Sequence, residues 1–144
     1  MSTEDPRALA RRFYEVFNRG DLDKLDEFVP ANFVDHNPFP GQPPGLEGLK
    51  YSLNVFRSGF PDIKVTNDDV LVAGDKVVVR STARGTNTAP FMGIPPTGKP
   101  IEIAAIDIWT VRSGKLVEAW HVEELLQMMM QIGAVPAPGQ TVGR

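Results

Sequence analysis

The chain has 144 residues, a net charge of −3 with both signs interspersed, and ordinary hydrophobic and charged shares of 42% and 23%. These values fit one globular domain and supply no basic stripe for nucleic acid. The absence of cysteine excludes disulfides, zinc thiolate sites and a cysteine nucleophile.

The first element is a helix. From Asp5 to Asn18, the apolar residues Leu9, Phe13, Val16 and Phe17 recur at spacings of three and four, with Arg11, Arg12 and Glu15 between them. The same stretch lacks the basic start and unbroken apolar core of a signal peptide, and no apolar run is long enough to span a membrane, so a cytoplasmic protein without a membrane partner is expected. Gly20 stops this helix, and Asp21 caps a second, short one carrying Leu22, Leu25, Phe28 and Val29 before Pro30. Residues 37–45, NPFPGQPPG, are a loop dictated by proline and glycine. Leu46, Leu49, Leu53 and Phe56 then mark a third helix ending near Gly59.

From Ile63 the period changes to that of strands. Residues 63–73 and the run KVVVRSTARGT form a hairpin about Gly74 and Asp75, and IEIAAIDIWTV with LVEAWHV forms a second about RSGK. A proline-rich stretch, 89–100, separates the two hairpins. A closing helix, ELLQMMMQIG, follows, in which one or two of the three methionines would pack as adaptable wall; residues 135–144 read as a loose tail. The prediction is therefore a single α+β domain spanning 1–144, with three helices, a four-strand antiparallel meander and a short C-terminal helix.

Only two histidines exist, His36 in FVDHNP and His121 in VEAWHVEE. With Arg112, Ser113 and Gly114 read as a three-residue loop, Val111 faces Lys115 and the pairs run Trp109 with Val117, Asp107 with Ala119 and Ala105 with His121. Asp107 and His121 then share one face as diagonal neighbours. Ile106, Ile108, Thr110, Leu116, Glu118, Trp120 and Val122 take the other, where the apolar surface predicts a homo-oligomer, a dimer or tetramer.

Several segments in order, FVDHNP, a helix ending in GFPD, GTNTAPFMGIPPTGKP and IDIWTVRSGKLVEAWHV with a helix closing on QIGA, resemble the SnoaL-like polyketide cyclase (ester cyclase) family of the NTF2-like superfamily. The resemblance covers residues 5–134 and implies a cone-shaped α+β barrel, its helices and curved sheet enclosing an apolar pocket. It also implies an intramolecular aldol cyclisation of a hydrophobic substrate without metal or organic cofactor. The family's final-strand pattern, GKIVEHWDVxD, places the acid/base aspartate where His121 stands here; Ala119 replaces a common histidine and Glu124 the last aspartate. A histidine is expected in relatives near Asp107, so the two residue types have exchanged places. Asn87 and Ala89 replace a frequent histidine and glycine of GTHTGxF.

Aldol or isomerase chemistry needs a base beside a carbonyl and a donor for the enolate oxygen, and imidazole with a carboxylate suits both. The expected catalytic set is His121 as acid or base, Asp107 as its orienting carboxylate and His36 as a second polar contact. Expected substrate contacts are Tyr14, Asn37, Phe13, Phe17, Phe56, Phe91, Met92 and Trp109. Glu123 is a reserve carboxylate or a first-turn charge on the closing helix.

Other readings of the same residues stay open at this point. His121 is alternatively a sheet histidine bonded to a backbone carbonyl, and His36 with Asn37 an ordinary turn before proline. Two histidines with Asp107 also meet the count for a facial iron site. Arg80 or Arg84 beside two carboxylates would suit epoxide opening, and a collapsed apolar interior would suit a binding or dimerisation module without catalysis.

Overall fold

The computed structural model describes residues 5–136, 138 and 139. The first helix, α1 (Pro6–Arg19), starts where Asp5 accepts the Arg7 amide and Pro6 fills the first turn, whose N–H groups have no helical acceptor. It stops at Gly20, whose left-handed backbone (φ 79°) lets its amide reach the Val16 and Phe17 carbonyls. One stripe of α1, including Leu9, Phe13, Tyr14 and Phe17, is buried. Asp21 caps no amide with its side chain, and the second predicted helix is a 3₁₀ turn, Leu22–Glu27. The third helix, α2 (Gly45–Gly59), begins directly after the proline loop. Gly48 allows that close approach, since a Cβ there would lie 1.7 Å from the Pro43 carbonyl oxygen.

The sheet differs from the expected meander. Strands β2 (Lys64–Ala73), β3 (Lys76–Thr86), β4 (Pro100–Arg112) and β5 (Lys115–Glu123) are the four predicted, but the two-residue strand β1 (Val34–Asp35) adds to the edge of β5 in parallel. The order β1-β5-β4-β3-β2 gives an open, five-stranded mixed sheet whose edge strands β1 and β2 do not pair. The helices cover its inner face, and Asn18 locks the end of α1 to edge strand β2 through two hydrogen bonds with the Val65 backbone, 2.8 and 2.9 Å. The closing helix α3 (Leu125–Gln131) buries Met128 alone of its three methionines. The expected tail lies largely outside the described residues.

The β4–β5 register corrects the sequence reading twice. Ser113 and Gly114, both with positive φ (52° and 72°), form a two-residue turn, so Arg112 and not Val111 faces Lys115. A bulge then inserts Val117, and Thr110 meets Glu118, Trp109 meets Ala119 and Asp107 meets His121. The two one-residue differences cancel in parity, so Asp107 and His121 do share the inner face, as directly opposed partners. Leu116, expected outside, points inward beside Val111 because it precedes the bulge, and is fully buried in the core.

Candidate active site

The inner face of β3–β5 and the buried stripes of α1 and α2 line an apolar pocket that opens to solvent. Phe13, Phe17, Phe56 and Trp109 are among the residues that line it. At one side the walls turn polar, where Asp35, Asp107, His121 and Glu123 converge with Tyr14.

Strand pairing places this group. His121 lies on β5 between β4, which carries Asp107, and β1, which carries Asp35. Its Nε2 is 2.8 Å from Asp35 Oδ1 and its Nδ1 2.7 Å from Glu123 Oε2. Burial alone would depress the imidazole, yet the hydrogen bonds and charges of Asp35 and Glu123 override it and raise His121 to about 10. It is therefore an imidazolium at neutral pH, with both N–H groups donating to carboxylates. Burial also opposes ionisation of Asp35, but the hydrogen bonds from His121 and Gln42 outweigh it and hold this carboxyl below its ordinary range.

Asp107 is not the carboxylate that orients His121. Its Oδ2 instead accepts from the Tyr14 hydroxyl at 2.5 Å, and that hydroxyl accepts from the Trp109 indole at 3.0 Å. Burial pushes Asp107 up to about 6; Tyr14 and His121 pull it down, while Glu123 and Asp35 push it further up. Burial and the neighbouring Asp107 likewise raise the Tyr14 phenol well above its ordinary value, so it stays a neutral donor. Asp107 Oδ1 is left open to the cavity.

The remaining expected site residues separate. His36 is on the outer face, stacked on Trp120 with centroids 4.2 Å apart and bonded to Glu118 Oε1 at 2.9 Å. Side chains alternate along β1, so the inward position next to it belongs to Asp35. Asn37 does not line the pocket; its side-chain oxygen accepts the His121 amide at 2.8 Å and thereby seats the histidine. Phe91 is buried behind Phe56, and Met92 is 61% exposed outside the pocket. Glu123 is the last residue of β5, not a charge on the helix that follows. Asp35 went unrecognised in the sequence, although its place beside His36 in an extended pair was the available signal.

Asp107, His121 and Glu123 bring possible ligand atoms within 4.8 Å of one another. His36, stacked on Trp120 on the outer face, points away from them, so the two-histidine iron set is not assembled. Arg80 and Arg84 are exposed and paired with Asp69 and Glu102, which removes the arginine that epoxide opening was expected to use. Asn87, fully buried, accepts from Thr97 and donates to the Gly59 and Ala89 carbonyls, so it braces the 87–99 loop outside the site.

The profile of the SnoaL-like polyketide cyclase family matches residues 7–132. The chain belongs to this family. Solved structures agree with the SnoaL-like assignment. A candidate polyketide cyclase from Bacillus cereus is 37% identical over 88% of this chain and 79% of its own, with a TM-score of 0.78. IdmH, a candidate polyketide cyclase from Streptomyces antibioticus, is 36% identical over 90% of this chain and 99% of its own, at 0.80. TsrD from Streptomyces laurentii is 31% identical over 89% and 94%, also at 0.80. No curated protein sequence matches the chain. Among the described residues, no helix is long and apolar enough to cross a membrane.

Proposed function

We propose that the protein is an acid/base catalyst acting on a hydrophobic carbonyl compound, by intramolecular aldol cyclisation or the related isomerisation. The observation that carries this reading is Asp107: a buried carboxylate raised to about 6, with one oxygen held by Tyr14 and the other open to an apolar pocket. A base titrating near neutrality is mostly ionised at pH 7 and still basic enough to remove a proton next to a carbonyl.

Asp107 takes the α-proton of the substrate. The C–H electron pair forms the new carbon–carbon bond to a second carbonyl carbon of the same molecule. That carbonyl's π pair moves onto its oxygen, and the alkoxide recovers the proton from the Asp107 carboxylic acid. Atoms and electrons balance without an oxidant. The His121 imidazolium is fixed by Asp35 and Glu123 beside Asp107, where its positive charge lowers the cost of the enolate in a site of low dielectric. Tyr14 orients the Asp107 carboxyl, and Phe13, Phe17 and Phe56 hold the apolar body of the substrate.

An open pocket with polar groups at one side favours an enzyme over a simple binding module, since a collapsed apolar interior would have served the latter. The exposed outer face with Ile106 and Val122 is where an expected dimer would form, and sedimentation of wild type against Val122→Asp tests it. The catalytic proposal is tested by following exchange of α-protons into deuterated water for neutral aryl ketones. Wild type accelerates exchange; equal rates for Asp107→Asn and wild type would overturn the assignment.

A further inference from the structure

The aromatic wall of the pocket continues outside it. Phe39 lines the pocket and also a second groove on the outer side of α2, together with Tyr51, Asn54, Ser58, Pro90 and Met92. The Phe39 ring lies 5.5 Å from that of Phe56, which lies 5.9 Å from Phe91, so an aromatic ridge separates the two spaces.

The far wall of the groove is unusual. Phe91 and Ile94 exchange backbone hydrogen bonds of 3.0 and 2.8 Å around a two-residue turn in which Met92 and Gly93 both have positive φ, 50° and 78°. Left-handed backbone disfavours methionine, and its side chain is 61% exposed. Met92 thus presents an apolar side chain along the groove. Asn54 and Ser58 supply polar atoms, and none of the lining side chains is charged. The partition is also anchored: the Phe39 amide donates to Gln42 Oε1 at 3.0 Å, and Gln42 Nε2 donates to Asp35 Oδ2 at 2.9 Å.

We propose that this groove is a second subsite, which receives the distal end of an elongated, uncharged substrate whose carbonyl core occupies the pocket, the molecule crossing the ridge at Phe39. The proposal rests on reading the pocket as a carbonyl site. It explains why one ring is shared between the two spaces, and it makes Tyr51 and Met92 determinants of chain length.

Titration calorimetry on the full chain compares a compact naphthyl ketone with the same ketone extended by an alkyl tail of about eight carbons. The tail should tighten binding at least about tenfold, a fraction of what its full burial would supply. Met92→Asp, and separately the uncharged groove-filling Ser58→Trp, should bring the ratio of the two dissociation constants to within about twofold of unity, with melting curves confirming folded protein. A ratio near unity in wild type, or one that persists in both variants, overturns the subsite. So does a concentration-dependent dimer that both variants abolish, since a second copy would then fill the groove. Deuterium exchange is read separately: no exchange with the tail effect intact sinks the acid/base reading and upholds the subsite.

Discussion

The two histidines lie on opposite faces of the same edge of the sheet. His121 on the inner face is clamped between two carboxylates beside a third, in a mainly apolar pocket. His36 on the outer face lies flat on Trp120 and shares Glu118 with Thr110. Both have an acidic partner within 2.9 Å. What separates them is burial: His36 keeps a third of its side chain in solvent, where an ion pair contributes little, whereas half that exposure and two partners fix the charge of His121.

The largest effect should come from Asp107, the carboxylate the inner face leaves half free. Asp107→Asn should slow α-proton exchange by about 10³-fold, the scale of a lost general base. In wild type the rate should rise with pH through about 6 as Asp107 ionises, and fall again near 10 as His121 loses its charge. A rate without an acid limb near 6 would remove Asp107 from the mechanism.

His121→Gln comes next. It leaves Asp35 and Glu123 facing one another without a cation, and should cost about 2–4 kcal/mol by chemical denaturation as well as about 10²-fold in exchange rate. Stability unchanged at neutral pH would contradict the buried clamp.

The pH dependence of stability sharpens the contrast further. His121 binds its proton more tightly folded than unfolded, so its contribution is fully present below about 6.5 and is lost as pH rises towards about 10. Asp107, also raised, loses its contribution in an earlier window, from about 3.8 to about 6, whereas the contribution of Asp35, held low, is fully present above about 3.8 and is lost as pH falls below it. Denaturation midpoints measured from pH 6.5 to 10 should decline in wild type and flatten in His121→Gln. The smallest change is expected outside: His36→Asn removes the stack on Trp120 and one partly exposed pair, costs about 1 kcal/mol or less, and leaves exchange within about twofold. A tenfold loss of exchange would put His36 back in the site.

Much of the fold was legible because its causes are local. The stripe Leu9, Phe13, Val16 and Phe17, the prolines of 37–45 and the β-branched run at Val77–Val79 each dictate an element from within a few residues. β1 was not legible as a strand, since two residues carry no period, and it exists only because the edge of β5 accepts them. The shared face of Asp107 and His121 came from strand parity, and survived only because an unforeseen bulge at Val117 offset a misjudged turn.

By itself, then, the sequence determined the layers, the strand order of the two hairpins, the apolar lining from α1 and α2, and the presence of chemistry-bearing residues on β4 and β5. Tertiary structure decided which of them meet. Asp35, Asp107, Glu123 and Tyr14 come from four places in the chain, and their partners follow from packing across the sheet, which no spacing encodes. The ionisation of His121 and the basicity of Asp107 were settled there too, because both depend on how far burial removes water and on which opposite charges remain within a few ångströms.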